Sequence, residues 1–247
     1  MSTIDDSYWC MFNAFRNRDN FMDVYVAILN TIGNEVNLVP VKSGLTLGPG
    51  EGTCEIEFIK KCTPNLAKLT AVELDHESVE RLKNHLRNGL SNVEAQVIET
   101  SFSTWKGLDD PVDLVLMFHM IYYYEPDERK QLSKKLHDSW LAAGGFVVIL
   151  LGGEKGNKIF GRLGKPLPMW EDLEAEFLEA GFIKQRVYET EYARDYLNPD
   201  DQFLRFYQYH AGRPVTLDDV RDAMKELYQE EKAHPTSDTL AVFQKAY

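Results

Sequence analysis

The five residues Gly48-Pro49-Gly50-Glu51-Gly52 follow the apolar run Leu45-Thr46-Leu47 and precede an amphipathic stretch. That order reads as strand, tight glycine turn and helix. Glycine tolerates positive φ and lets the backbone approach a ligand closely. In α/β folds such a turn is where a nucleotide-like cofactor rests against a helix N-terminus. The spacing narrows the choice. A dinucleotide fingerprint, G-x-G-x-x-G, needs glycine at position 53, where this chain has Thr53. The glycines fall at 48, 50 and 52 instead. Alone, such a turn can be no more than a loop.

Further along, Lys68-Leu69-Thr70-Ala71-Val72 is a second short apolar run, and it ends in Glu73. A carboxylate at that strand tip can accept both hydroxyl protons of a ribose. The alternative is a carboxylate that merely faces the dipole of the helix expected over 75–88. With the G-x-G-x-G turn upstream, the pair resembles the site of proteins that bind S-adenosyl-L-methionine (SAM) and release S-adenosyl-L-homocysteine (SAH).

The pattern along the chain is α/β. Strands are expected at 44–47, 68–73, 93–98, 112–118 and 146–151, alternating with helices at 53–62, 76–88 and 126–141. Such alternation predicts a mostly parallel sheet with helices on both faces. Ala142-Ala143-Gly144-Gly145 reads as a helix stop. Residues 7–33 have helical apolar spacing but precede the first strand, which makes them a candidate lid. The stretch 152–168 is glycine-rich and is expected to be irregular, followed by a helix over 169–180 and a strand over 183–190. Residues 193–213 are aromatic without clear periodicity. Thr216-Leu217-Asp218-Asp219 reads as a capping box opening a helix to about residue 233, and 239–245 reads as the last strand. The expected organisation is a single domain: lid 1–36, core 37–192, an inserted cap 193–235 and last strand 236–247.

A net charge of −12 argues against nucleic acid as a partner, since phosphate contacts call for a basic face. Arg129-Lys130 and Lys134-Lys135 read as a solvated helix face. No apolar run approaches the ~20 residues of a membrane span, and Met1–Asp6 lacks a targeting pattern, so a cytoplasmic monomer is expected. Cys10, Cys54 and Cys62 have no metal-binding spacing; the last two are ~12 Å apart along one helix, too far for a disulfide.

The feature order from Gly48 to Lys245 resembles the class I SAM-dependent methyltransferases, whose Rossmann-like seven-stranded mixed sheet places the last strand between the fifth and sixth. Within that family, Asp113–Tyr124, Tyr8–Arg16, Lys158-Ile159-Phe160 and Glu99-Thr100-Ser101 resemble segments of the histamine N-methyltransferases. The resemblance implies that Gly48, Gly50 and Glu51 line the methionine part of SAM, with Pro49 and Gly52 in the same cofactor-binding turn, and that Glu73 takes the ribose, with Leu74 and Ser78 close by. Thr100, Ser101, Phe118 and His119 would line the remainder. Tyr122 and Tyr123 would face the substrate, with Tyr8, Cys10, Phe12, Phe160 and Asp238.

Two departures bear on the substrate. The resembled enzymes carry a carboxylate where Cys10 stands, and an amide where Asp238 stands. A carboxylate that has moved across the pocket would keep a small cationic or imidazole-containing substrate; a different substrate class, with a carboxylate or hydroxyl nucleophile, is the alternative. A non-catalytic SAM-binding module is a third reading, which the intact glycine turn and Glu73 oppose. Methyl transfer needs an unprotonated lone pair, which an imidazole of pKa near 6.5 offers directly and an amine near 10 does not. His119, with Tyr122, is therefore the candidate catalytic group, either as base or as orienting hydrogen bond. The alternative is a packed histidine under the adenosine. Tyr122 and Tyr123 would offer faces worth roughly 0.5–2 kcal/mol to a cation. Tyr124 is expected to pack the helix–sheet interface. No carboxylate cluster is present to suggest a metal.

Overall fold

The computed structural model describes residues 8–101, 104–228 and 234–247; the expectations for 1–7 and for a helix continuing through 229–233 lie outside these. Seven strands form one sheet in the order β3-β2-β1-β4-β5-β7-β6. They are β1 (Ser43–Leu47), β2 (Lys68–Glu73), β3 (Glu94–Glu99), β4 (Val112–Phe118), β5 (Leu141–Gly152), β6 (Phe182–Arg194) and β7 (His234–Lys245). β1 pairs in parallel with β2 and β4, and β2 with β3, as the βα alternation requires. β7 lies between β5 and β6, which is the topology that the resemblance implied. β1 and β4 are nearly continuous apolar runs because both faces are covered, and Leu45, Leu47, Leu114, Val115, Leu116 and Met117 are fully buried.

Local sequence sets the helix starts. In α3 (Thr53–Cys62) the N-cap is Gly52 in the left-handed region, at φ 78°. Asp75 caps α4 (His76–Gly89) by accepting a hydrogen bond from the Ser78 N–H at 2.8 Å. Pro126 opens α5 (Pro126–Lys135) behind a reciprocal box of Glu125 and Glu128. The Thr216–Asp219 box forms as expected: the Thr216 N–H donates to Asp219 Oδ2 at 2.7 Å, and the Asp219 N–H to Thr216 Oγ1 at 3.1 Å.

Elsewhere the structure departs from the sequence reading. The segment 7–33 is two helices, α1 (Tyr8–Arg16) and α2 (Phe21–Glu35). Asp19 ends the break between them by accepting from the Phe21 N–H at 3.1 Å. The helix expected over 126–141 stops at Lys135 and finishes in one wide turn, Leu136–Trp140. Gly144-Gly145 is not the helix stop but lies inside β5. Between the pairs Val112↔Leu141 and Leu114↔Phe146, β5 advances five residues against two on β4. That bulge needs glycine, because a Cβ at Gly145 would sit 2.9 Å from the Ala142 carbonyl oxygen.

The stretch expected to be irregular contains α6 (Glu154–Arg162), whose Ile159 and Phe160, with Leu163 just beyond, are buried. Burial of that stripe outweighs the poor helix propensity of its two glycines. The aromatic stretch holds α8 (Asp201–Tyr209), capped by Asp200 and burying Phe203, Leu204, Phe206 and Tyr207. α7 (Trp170–Glu179) precedes β6, and α9 (Leu217–Tyr228) precedes β7.

The chain divides into two compact units. One comprises 25–151, 170–189 and 239–247; its core runs from Leu45 and Val115 through Val147 and Leu173 to Phe243. The other comprises 1–24, 152–169 and 190–238, and its described core joins Met11 and Phe15 to Phe160, Phe203, Tyr207 and Met224.

Candidate functional site

In the sheet-bearing unit, all three glycines of the turn have left-handed backbones, with φ of 59° at Gly48, 58° at Gly50 and 78° at Gly52. Their surroundings differ. A Cβ at Gly52 would meet Leu82 Cδ1 at 2.5 Å and one at Gly48 would meet Met120 Cβ at 3.1 Å, whereas one at Gly50 would meet nothing within 4 Å. Gly48 and Gly52 are therefore glycines for packing. Gly50 keeps an open face at the strand tip, the kind of space a cofactor backbone can enter. Pro49 closes the turn, its carbonyl accepting from the Gly52 N–H at 2.9 Å. The Glu51 carbonyl lies 3.0 Å from His85 Nδ1.

Glu73 latches this turn. Its Oε2 accepts the Gly50 N–H at 2.8 Å, and its Oε1 accepts the Leu74 and Asp75 N–H groups at 2.8 and 2.9 Å. A carboxylate offers about four lone-pair sites. Three are used by backbone, and the remaining one is on Oε2, beside Gly50. The group is only 9% exposed yet keeps acceptor capacity for a ribose hydroxyl. Leu74 next to it is 67% exposed at the lip. Ser78 is buried under the α4 cap. The Thr100 N–H donates to the Glu73 carbonyl at 2.9 Å, which brings Thr100 and the adjoining Ser101 to the same strand end.

At the tip of β4, Phe118 is buried edge-on to Tyr25 and Phe58. The chain then turns through His119, whose φ of 54° is uncommon for a non-glycine residue. Its N–H still donates to the Leu150 carbonyl at 2.8 Å, so the ring is held at the sheet's end. His119 Nδ1 lies 3.0 Å from Tyr122 Oη. Tyr123 is half exposed and Tyr124 half-buried. Burial pushes the Tyr124 hydroxyl up to about 12.

The other unit holds the remaining sequence candidates. Tyr8 stacks on Phe12, and Phe12 leans on Phe206. Phe160 packs against Tyr207 and edge-on to His210. Cys10 is half-buried on the same helix as Tyr8 and Phe12. Asp238 is 2% exposed and its Oδ1 accepts from the Tyr192 hydroxyl at 3.0 Å. Burial raises its carboxyl to about 6 against the pull of Arg16, Arg194 and the Tyr192 bond. Arg194 donates through Nη2 to Asp19 at 2.6 Å and lies 3.8 Å over the Phe15 ring.

Residues 45–145 match the family model described as a methyltransferase domain. Over that stretch the chain is similar to a methyltransferase domain, in keeping with the resemblance to the class I SAM-dependent methyltransferases. The latched, open-faced glycine turn fits the SAM that this resemblance implies. No curated protein sequence matches the chain. Solved structures share its fold. A protein from Bacillus halodurans described as a methyltransferase is 13% identical, with a TM-score of 0.64 over 90% of this chain and 99% of that one. The N-methyltransferase NodS from Bradyrhizobium japonicum is 12% identical, with 0.56 over 90% and 97%. The [4+2]-cyclase SpnF is 13% identical, with 0.58 over 90% and 80%. Among the described residues, no three His, Cys, Asp or Glu side chains gather as a metal site, and no helix is long and apolar enough to cross a membrane.

Three residues of the chain that sequence reasoning passed over stand out in the structure. His210 sits edge-on to Tyr8, Phe160 and Tyr209, and burial lowers its imidazole to about 4. Arg194 alternates inward with Tyr192 on β6, a period-two signal that was legible in Tyr192-Ala193-Arg194. Glu55 breaks the apolar stripe Ile56, Phe58, Ile59, Cys62 on the buried face of α3, and is itself 3% exposed.

Proposed function

We propose that this methyltransferase N-methylates a small molecule carrying a histamine-like imidazole or a biogenic amine, with SAH as the product. The observation that carries the reading is the His119–Tyr122 pair, hydrogen-bonded at 3.0 Å where β4 ends. Bound SAM supplies an electrophilic methyl group on a sulfonium. The chain's own residues must bind it, align the acceptor and handle one proton. Gly48, Pro49, Gly50, Glu51, Gly52, Glu73, Leu74, Ser78, Thr100, Ser101 and Phe118 are assigned to the cofactor, with Glu73 Oε2 taking a ribose hydroxyl.

His119 acts as a base in the tautomer whose Nδ1–H donates to Tyr122, because Nε2 then carries the acceptor lone pair. In the other tautomer, with the Tyr122 hydroxyl donating, the pair orients the acceptor and moves no proton. An imidazole acceptor near pKa 6.5 needs only orientation, and an amine near 10 needs the base. Tyr122 and Tyr123 supply aromatic faces for a cationic acceptor. The sequence resemblance assigns Tyr8, Cys10, Phe12, Phe160 and Asp238 to the acceptor as well. The described part of 1–36 serves as lid and that of 193–235 as cap, in a cytoplasmic monomer.

The solved neighbours do not choose the acceptor, since their names run from N-methyltransferase to cyclase. A panel of imidazoles, biogenic amines, amino acids, carboxylic acids and alcohols, read by mass spectrometry for a 14 Da gain with SAH formation, chooses it. Methylated nitrogen with loss of turnover in His119→Ala supports the reading. Methylation confined to oxygen, or SAM binding without turnover of any acceptor, overturns it.

A further inference from the structure

We propose that Glu55 is the residue by which the cofactor site distinguishes SAM from SAH: its carboxyl group gives up a proton as the sulfonium cofactor enters and recovers it when the neutral product leaves. This rests on the SAM site formed by Gly50 and Glu73.

Glu55 is the third residue beyond Gly52, in the first turn of α3, and it is 3% exposed. The hydroxyl of Tyr25, a fully buried residue of α2, donates to the Cys54 carbonyl at 3.1 Å and so covers that turn. Among the described residues no lysine, arginine or histidine is ion-paired with Glu55. The ionisable groups acting on it are Glu73 from β2 and Tyr25 from α2, and a hydrogen bond from its own backbone pulls the other way. An ionised carboxylate buried without a cation, beside a second carboxylate, is costly. Burial, with a smaller push from Glu73, accordingly raises the Glu55 carboxyl to about 8.

SAM brings a cation. Its ammonium, sulfonium and carboxylate sum to +1 near neutrality, and SAH, without the sulfonium, sums to zero. A positive charge held at Gly50 and Glu73, the strand-tip carboxylate that already acts on Glu55, favours the ionised form of Glu55, so binding and deprotonation reinforce one another. The proton goes to solvent on SAM binding and returns from solvent once methyl transfer has removed the sulfonium charge. Discrimination against product then grows with pH until Glu55 is ionised in the free protein.

Calorimetry of SAM and SAH binding to the full chain, in two buffers of different ionisation enthalpy, tests this. For a bound-state shift of about one unit, SAM should release roughly half a proton more than SAH at pH 7.5. The SAM-over-SAH affinity ratio should climb about tenfold between pH 6 and 9. In Glu55→Gln, which is neutral at every pH, the excess proton should vanish and the ratio should flatten. Infrared difference spectra of the unmodified protein should lose a protonated-carboxyl band on SAM addition and keep it with SAH, whether or not the variant folds. An equal proton excess in the variant, or an unchanged carboxyl band, overturns the assignment of Glu55 alone. Failure of the unmodified protein to bind SAM overturns the cofactor site with it.

Discussion

Replacing Glu73 with glutamine removes one charge and one acceptor while keeping the shape of the side chain. The amide oxygen would turn toward the Leu74 and Asp75 N–H groups, which hold two of the three bonds at 2.8 and 2.9 Å. The amide nitrogen would then face the Gly50 N–H, donor against donor, where Oε2 now accepts at 2.8 Å. Losing a hydrogen bond to a charged group costs about 1.5–3 kcal/mol, and charge assistance on the two survivors is worth roughly 0.5 kcal/mol each. The sum is about 3 kcal/mol against the ligand-free protein. For a chain of this size that is a drop of roughly 6–12 °C in melting temperature. Thermal denaturation without cofactor measures it, and calorimetry on the folded variant should show weakened SAM binding as well. A ligand-free melting temperature within about 2 °C of the unmodified protein would refute the latch. Weakened SAM binding with that unchanged stability would leave Glu73 a ligand group only.

The two glycine positions should separate packing from binding: Gly52→Ala is expected to cost about 1–3 kcal/mol of stability through its clash with Leu82, and Gly50→Ala only about 1 kcal/mol of backbone strain but far more SAM affinity. Melting curves paired with SAM titrations check the contrast, and equal stability losses would contradict it. Glu176→Ala leaves the Arg129 guanidinium buried without its bidentate partner, now held at 3.0 and 2.7 Å, so unfolding free energy should fall by about 3–5 kcal/mol in denaturant titrations. His210 is lowered to about 4 in the folded protein, so its stabilisation is present above pH 6.5 and is lost as pH falls toward 4. His210→Gln should flatten that part of the stability–pH curve, and an identical curve for both proteins would refute the assignment.

Where sequence and structure agree, a short-range cause fixed the element. Gly48, Gly50 and Gly52 carry the positive φ that their spacing implied, and Glu73 ends β2 where the apolar run stops. α8 was hidden because exposed Tyr209 and the buried Tyr192 and Tyr196 upstream blurred an i, i+3, i+4 stripe of Phe203, Phe206 and Tyr207. α6 was hidden because two glycines argued for coil, while burial of Ile159 and Phe160 decides its state. Gly144-Gly145 sent the opposite false signal, since glycine serves a bulge as well as a helix end. The cofactor side was legible as a local motif. Asp238, Tyr192, Arg194 and Asp19 come together from distant segments, and no spacing in the sequence announces that they share a buried charge network.

β7 follows every other strand in the chain, yet it lies between two of them, β5 and β6. During synthesis from the N-terminus, both neighbours exist with unpaired edges before the strand that joins them has been made. Direct pairing of β5 with β6 is then the nearest available error, because sequential strands meet first and distant ones pay the larger loop-closure entropy. A chain interrupted before residue 234 would carry an intact glycine turn and an intact Glu73 on a sheet that lacks the strand joining β5 to β6.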